Sequence, residues 1–184
     1  MSDTAPAARA AIVYESMFGN TRRVAEAIAD GLRDGAAVTV LQVSDAPESM
    51  PDVDLLLVGA PTHAHGLSRP ASRAEAAAWG DDPGRSLTLE PEAEGIGVRE
   101  WLETCGEPPA RFAAFDTRAD MPELFTGSAA KGIDKRLRRL GAHRLLATHS
   151  FLVDKASVLL PGQLDDATAW GREIAAALRT GAAG

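Results

Sequence analysis

The sequence predicts an α/β fold, a doubly wound parallel sheet of five strands with helices on both of its faces. Five short apolar runs alternate along the chain with segments of helical periodicity, which is the pattern of repeated strand–helix units. Several of these runs are continuously apolar, as expected of strands that are covered on both faces. The 184 residues suffice for one such domain, expected over residues 9–180 between short flexible tails at 1–8 and 181–184.

The first part of the chain predicts three strands and one helix. The apolar run Ala10–Tyr14 predicts the first strand, and Thr21–Leu32 carries its apolar residues on one helical stripe. Two further apolar runs, Ala37–Val43 and Val53–Ala60, predict the second and third strands.

A long connection follows at residues 66–95. It is rich in Ala, Gly, Pro and charged residues, and only Ala71–Trp79 has helical spacing. A connection of this length is usually either functional or flexible, and the sequence predicts it to be mostly irregular.

The last part of the chain continues the alternation of helices and strands. The sequence predicts, in order, the helix Val98–Cys105, the strand Arg111–Phe115, the helix Ser128–Leu140, the strand Arg144–Val153 and the helix Leu164–Leu178. Three arginines in the last turns of Ser128–Leu140 suit the helix dipole, and Gly141 is a suitable residue to end that helix.

The composition excludes several classes of protein. A formal net charge of -7 argues against a nucleic-acid-binding protein and makes a basic surface the natural charged partner. Cys105 is the only cysteine, which excludes an intramolecular disulfide and a multi-cysteine metal site, and we expect no metal. No apolar run approaches the roughly 20 residues of a transmembrane helix. The N-terminus does not resemble a secretory signal, so a cytoplasmic location is expected.

The loop between the first strand and the first helix, Ser16–Thr21, has the chemistry of an anion-binding turn. The first N–H groups of a helix lack partners within the helix, and the dipole adds about half a positive charge there. Ser16 and Thr21 add hydroxyl groups, Asn20 adds an amide, and Gly19 permits a tight turn. The loop has neither the lysine of a triphosphate-binding loop nor the three glycines of a dinucleotide-binding loop. It therefore suits a phosphate monoester, and helix capping by Asn20 or Thr21 alone is the other interpretation.

Two motifs of the chain resemble the flavodoxin family. Ser16-Met17-Phe18-Gly19-Asn20-Thr21 is similar to the family's phosphate loop, [ST]-x-[ST]-G-N-T, directly after the first strand. Gly59-Ala60-Pro61-Thr62-His63-Ala64-His65-Gly66, after the third strand, has the frame of the family's G-x-P-T-aromatic-x-x-G segment. The matching order of elements extends from Ala10 to Leu178. The resemblance implies a flavodoxin-like fold of the short-chain type, with strand order 2-1-3-4-5 and bound FMN.

The resemblance also implies which residues bind FMN. The Ser16–Thr21 loop would hold the phosphate, Pro61–Gly66 would run along the isoalloxazine ring, and a third loop after the fourth strand would reach its pyrimidine edge. Gly66 would allow a close approach or a positive φ beside the flavin. The implied cofactor-binding residues are Ser16, Met17, Phe18, Gly19, Asn20, Thr21, Pro61, Thr62, His63, Ala64, His65, Gly66, Asp116, Thr117 and Arg118.

The chain departs from the family's pattern at three points. Phe18 replaces a small hydroxyl residue of the phosphate loop, His63 stands where an aromatic residue usually stacks on the flavin, and the third loop lacks a tyrosine. The implied pocket is therefore less aromatic than in typical flavodoxins. We hypothesise that His63 or His65, protonated near neutral pH, raises the reduction potential by stabilising the negative charge of the reduced flavin.

Three functions are compatible with these features. The first is an FMN-binding electron carrier that docks a redox partner protein with a basic face, for which no catalytic residue is required. The second is an FMN-dependent NAD(P)H or quinone oxidoreductase that uses a small-molecule electron donor or acceptor. In that case the 66–95 connection would form a substrate lid, and Arg69 or Arg118 would bind an anion. The third is a flavin-free binding or regulatory module of the same fold.

Overall fold

The computed structural model describes residues 8–181 and confirms the α/β fold. The strands are β1 (Ala8–Tyr14), β2 (Ala36–Gln42), β3 (Leu55–His63), β4 (Gly66–Leu67), β5 (Arg111–Ala119), β6 (His143–Arg144) and β7 (His149–Val153). The helices are α1 (Asn20–Leu32), α2 (Pro70–Gly80), α3 (Val98–Thr104), α4 (Glu123–Thr126), α5 (Ala129–Arg139) and α6 (Gln163–Gly181), with a short 3-10 turn at Val43–Asp45. All four helices predicted without qualification are present, and the helical spacing at Ala71–Trp79 corresponds to α2.

The parallel sheet has the order β2-β1-β3-β5, with β6 and β7 both beside β5. This is the predicted order 2-1-3-4-5 with one correction, because the predicted strand Arg144–Val153 is divided into β6 and β7. Arg111 pairs with His143 whereas Phe115 pairs with His149, so the last strand has two more residues than β5 over the same stretch. These extra residues cannot join a regular ladder. With β4 paired antiparallel to β3, the sheet has seven strands rather than five.

Helices cover both faces of the sheet, and each face has its own apolar core. Alternate strand residues such as Ile12, Leu57 and Phe115 pack against α1 and α6. Their neighbours along the strands, such as Val13 and Leu56, pack against α3 and α5 on the opposite face. This alternation follows from the two-residue period of a strand, and it explains why the strand sequences are continuously apolar.

The helices α1 and α6 are in direct backbone contact. A Cβ atom placed on Gly31 of α1 would lie 2.0 Å from the carbonyl oxygen of Thr168, and one placed on Gly171 of α6 would lie 2.2 Å from that of Ile28. Glycine is required at both positions because only a residue without a side chain lets the two helix backbones come so close.

The ends of the domain differ by one residue from the expectation. β1 already includes Ala8, and α6 extends to Gly181. The remaining tail residues, 1–7 and 182–184, lie outside the described part of the chain. Within residues 8–181, no helix has both the length and the apolar character needed to cross a bilayer.

The connection at residues 66–95 is more regular than the sequence predicts. It begins with β4 and α2, and only its second half is largely without regular structure. That half folds back over the loop after β1, where Leu89 and Ala93 form a small apolar cluster with Met17, Phe18 and Ala76. The connection is therefore packed against the molecule on the side where β1 ends.

Candidate functional site

A cavity of about 450 Å³ lies where the carboxyl ends of β1, β3 and β5 meet. In a doubly wound sheet this edge is where ligands bind. Residues from all three segments that the sequence singled out line the cavity. These residues are Ser16, Met17, Phe18, Asn20, Thr21, Pro61, Thr62, His63, Ala64, Thr117 and Arg118.

The Ser16–Thr21 loop forms a tight turn into α1. Gly19 precedes the first helical residue with φ 85°, a left-handed conformation that favours glycine, and its N–H donates to the Ser16 hydroxyl over 3.1 Å. The Thr21 and Thr117 hydroxyls are 2.8 Å apart, and the Asn20 amide donates to the Ser157 carbonyl over 2.6 Å. These side chains join the loop to its neighbours, so the N–H groups of the first turn of α1 are the principal donors for an anion.

An ion pair lies against the outside of this loop. The Arg22 Nε atom is 3.1 Å from Glu90 Oε1, and the Glu90 N–H donates to the Met17 carbonyl over 2.8 Å. The carboxylate is 3.3 Å from where a Cβ atom on Gly19 would lie. Arg22 also pairs with Glu26 over 3.0 Å, so its positive charge is already matched by carboxylates, and binding of an anion by the neutral donors of the loop stays a prediction.

The turn after β3 has backbone strain, but not at the expected glycine. Pro61, Thr62 and His63 are part of β3, and the turn residues Ala64 and His65 have φ values of 41° and 74°. Gly66 is in β4 and has no left-handed φ, so the positive φ expected of this glycine is corrected. The space where its Cβ would lie is open, and its close approach to a flavin stays a prediction. Non-glycine residues rarely adopt the left-handed conformation, and such strain is often found at functional sites.

The two histidines of this turn have different surroundings. His63 is half-buried at the cavity, and burial lowers the pKa of His63 below its ordinary value of 6.5, although a hydrogen bond to the Ser72 backbone opposes this effect. This shift disfavours the protonated imidazole near neutral pH and so argues against the hypothesis of a protonated His63. His65 is exposed and lines a smaller cavity of about 220 Å³ beside the first, together with Arg118, Phe125 and Thr126.

Asp116, Thr117 and Arg118 are in β5 rather than in the loop that follows it, which begins after Ala119. Asp116 is fully buried and does not line the cavity. Its Oδ2 atom accepts hydrogen bonds from the Ser128 hydroxyl over 2.6 Å and the Ala130 N–H over 3.0 Å, at the start of α5. Asp116 thus stabilises the first turn of α5, while Thr117, on the opposite side of the strand, faces the cavity.

The two arginines considered as anion ligands are placed differently. Arg118 lines both cavities, and its guanidinium donates to the Met121 carbonyl over 2.8 Å. Arg69 is exposed before the first residue of α2 and lines neither cavity. Arg118 is therefore the arginine available to a ligand.

A buried polar network holds the connection against the end of β1. Glu15, which precedes the Ser16–Thr21 loop, accepts hydrogen bonds from the Ser68 hydroxyl over 2.5 Å and from the Val98 N–H over 2.9 Å. Arg73 of α2 donates to the same hydroxyl over 2.9 Å and pairs with Glu100 of α3 over 3.1 Å. Burial raises the pKa of Glu15, while the hydrogen bonds and Arg73 favour its charged form. The network links β1, α2 and α3.

Sequence reasoning missed two walls of the cavity. One is α2, which contributes Ser72, Glu75, Ala76 and Trp79. The other is the end of β7 with the segment after it, which contributes Val153, Asp154, Lys155 and Ser157. The spacing of the α2 residues is that of one helical face, so Ala71–Trp79 did carry a signal. The segment after β7 contains no motif that singles it out.

A family model described as Flavodoxin matches residues 12–178. The chain belongs to the flavodoxin family. The match includes both motifs of the sequence and every wall of the cavity.

Solved structures agree with this membership at the level of the fold. A flavodoxin from the domain Archaea aligns with a TM-score of 0.61 and 19% identity, over 93% of this chain and 99% of the other. Flavodoxin 2 from Bacillus cereus aligns with a TM-score of 0.59 and 21% identity, over 92% and 99%. The Flv1 flavodiiron core from Synechocystis sp. PCC6803 aligns with a TM-score of 0.61 and 19% identity, over 96% of this chain and 37% of the other.

This flavodoxin differs from the family's sequence pattern in the side chains around its cavity. Phe18, in place of a hydroxyl residue, packs against the connection in the cluster with Leu89. The aromatic residues that line the main cavity, apart from His63, are Phe18 and Trp79. Among residues 8–181, no group of three or more His, Cys, Asp or Glu side chains could hold a metal ion.

Proposed function

We propose that this flavodoxin binds FMN in the cavity at the ends of β1, β3 and β5 and serves as an electron carrier. Members of the family bind a flavin, typically FMN, and transfer electrons to redox partners. The observation that carries the proposal is the convergence of the phosphate loop, the end of β3 and the end of β5 on one cavity. Its volume of about 450 Å³ falls in the range of small-molecule sites.

The residues present fit FMN. Gly19 turns the chain so that the N–H groups at the start of α1 can bind a phosphate. At the strand ends Thr62 and Thr117 line the same cavity, with their hydroxyls bonded to Asp116 and Thr21. Arg118 adds a positive charge to the lining of the cavity. The flavin would supply the redox chemistry, and the protein would supply binding, orientation and electrostatics.

The test is flavin binding by the purified protein. We expect a visible flavin spectrum, or its appearance on adding FMN, with one flavin per chain and weaker binding of riboflavin, which has no phosphate. Gly19→Ala should weaken FMN binding by about tenfold or more and riboflavin binding much less, because the strained loop loses its phosphate geometry.

A matched control is Gly141→Ala, since Gly141 also has a positive φ, 93°, but ends α5 away from the cavity. It should lower stability without changing the preference for FMN over riboflavin. A colourless protein that ignores added FMN would refute the proposal and leave the flavin-free module as the remaining interpretation.

A second candidate, the FMN-dependent NAD(P)H or quinone oxidoreductase, is favoured by one observation. Part of the 66–95 connection, α2, forms a wall of the cavity, as a substrate-binding element would. Steady-state oxidation of NADPH with a quinone acceptor separates the two functions. A carrier turns over slowly without a reductase, whereas an oxidoreductase does not need one. A basic protein as redox partner and a cytoplasmic location remain predictions.

A further inference from the structure

One face of α2 forms a fixed wall of the main cavity. Ser72, Glu75, Ala76 and Trp79 face the cavity at the spacing of a single helical stripe. Arg73 fastens the first turns of this helix through the buried network with Glu15, and Ala76 packs in the apolar cluster with Met17. Both attachments hold α2 against the side of the molecule that carries the Ser16–Thr21 loop, with its stripe facing the cavity.

Trp79 is unlike the other two tryptophans of the chain. Trp101 and Trp170 are 2% and 4% exposed in the two apolar cores, whereas Trp79 is 40% exposed and lines the cavity. A large aromatic ring left open to a cavity has apolar surface that a ligand can bury. The chain's only tyrosine, Tyr14, is buried in β1 and cannot take that place.

The indole of Trp79 is oriented by a neighbouring cation. The guanidinium carbon of Arg85 lies over the ring, 4.7 Å from its centroid, and Arg85 is itself paired with Asp82 over 3.5 Å. A cation over an aromatic ring is attracted to it and limits its rotation. Since the guanidinium occupies one face of the indole, a planar ligand can stack only on the other.

We propose that Trp79 is the aromatic contact of the bound flavin, supplied by α2 in place of the tyrosine that the third loop lacks. This inference rests on the proposed function, and it assigns a binding role to a residue outside every motif of the family resemblance. Offset stacking of aromatic rings stabilises a contact beyond the area that it buries, and the isoalloxazine is a large planar ring system. The connection thereby contributes affinity for the flavin itself, beyond any role as a lid.

The experiment compares Trp79→Ala with Trp79→Phe in the full chain. Loss of stacking should weaken FMN binding roughly 2- to 12-fold in Trp79→Ala, with further loss from the buried area, and Trp79→Phe should restore most of the affinity. The fluorescence of the bound flavin is a second measurement. An indole in contact with a flavin quenches its emission by donating an electron in the excited state, so the bound flavin should be brighter in both variants.

Leu140→Ala is the matched control, because Leu140 is also 40% exposed but lies at the end of α5, outside the cavity lining. It should bind FMN with native affinity and native fluorescence. If the native protein binds FMN and Trp79→Ala matches it in affinity and fluorescence, the inference is overturned while the proposed function stands. Weaker binding with unchanged flavin fluorescence would also overturn it, since the indole would then act only by packing α2. A native protein that binds no flavin would refute the proposed function instead.

Discussion

Burial decides what individual polar residues do at the carboxyl edge of this sheet. Asp116 and Thr117 are neighbours in β5, yet the pleat directs the first toward α5 and the second into the cavity. His63 and His65 are separated by one residue, yet one is half-buried at α2 and the other is exposed. The type of each residue therefore indicates its chemistry, and its surroundings determine whether that chemistry is available to a ligand.

We expect the ring of His63 to titrate below pH 6.5, because burial disfavours its protonated form. The unfolded chain then binds this proton more tightly than the folded one. The contribution of His63 to the free energy of unfolding is thus complete above pH 6.5 and is lost as the pH falls through the lowered pKa. NMR titration of the histidine rings measures the midpoint, and His63→Asn identifies the resonance.

His63→Asn also tests whether His63 affects the reduction potential of the bound flavin. If His63 is neutral at pH 7, His63→Asn should leave the midpoint potential at that pH nearly unchanged. A titration midpoint at or above 6.5, together with a potential that falls in His63→Asn, would restore the hypothesis of a protonated histidine beside the flavin.

At the scale of elements, the two turns at the mouth of the site are joined to each other. A single backbone bridge connects His65, in the turn after β3, with Gly127, which precedes α5. Gly127 has φ 69° and ψ -167°, a region open essentially only to glycine, and a Cβ atom there would lie 2.2 Å from the His65 carbonyl oxygen. The approach of the two turns depends on this glycine.

Gly127→Ala should therefore separate the turns and strain the backbone. We expect a loss of about 1–3 kcal/mol in the free energy of unfolding, measured by urea denaturation, and weaker FMN binding. Gly66→Ala is the stability control, because its Cβ would meet nothing within 4 Å and Gly66 has no left-handed φ. Equal stability of the two variants would show that the bridge between the turns is dispensable.

The contact between α1 and α6 gives a prediction in which two effects oppose each other. Replacing a helical glycine with alanine gains up to about 1 kcal/mol from helix propensity. At Gly31, however, the new Cβ would lie 2.0 Å from the Thr168 backbone, and overpacking of this kind costs about 1–3 kcal/mol. Gly31→Ala should therefore lower the midpoint of thermal unfolding.

Gly132 in α5 is the matched control for Gly31. A Cβ atom added at Gly132 would lie 3.5 Å from the Leu67 side chain, an ordinary van der Waals distance. The gain in helix propensity should therefore dominate. Gly132→Ala should raise the thermal midpoint or leave it unchanged. Shifts of opposite sign in the thermal midpoints of the two variants would support the close contact between α1 and α6. A raised midpoint in Gly31→Ala would contradict it.

At the scale of the whole molecule, the acidic balance is the property most relevant to partners. A formal net charge of -7 creates a field that attracts basic surfaces over several ångströms and is screened by salt. We expect electron transfer from the reduced flavin to a basic protein acceptor to slow by tenfold or more when the ionic strength rises from about 10 mM to about 500 mM. Stopped-flow measurement with an uncharged quinone as the control acceptor should show little change. Equal salt dependence for both acceptors would argue against electrostatic docking.

The sequence predicts the sheet well because buried parallel strands have a simple signature. Leu55–Val58, within the third run, is apolar at every position, and the first run, Ala10–Tyr14, is followed by a helix with one apolar stripe. The end of β5 is harder to predict, because Asp116 and Thr117 stop the apolar run but remain in the strand, where each finds a hydrogen-bond partner on its own side.

The walls of the candidate site also differ in how well the sequence predicts them. The Ser16–Thr21 loop is recognisable because the family's motif is contained in six consecutive residues. The wall formed by α2 depends on a tertiary contact that local sequence does not specify, the pairing of Arg73 with Glu100 of α3. The division of the last strand depends on the two residues by which it exceeds β5, a register that no single run reveals.

That division has a consequence for the behaviour of the protein at high concentration. An uninterrupted outer strand offers unpaired N–H and C=O groups on which another chain can build a strand, a route to aggregation. On one side of the sheet the outer position is shared by the two-residue β6 and the five-residue β7, which are out of step with each other. The seven-residue β2 on the other side has no such break. We therefore expect β2 to be the edge more open to intermolecular strand addition, and Thr39→Lys, in its exposed centre, to oppose such addition.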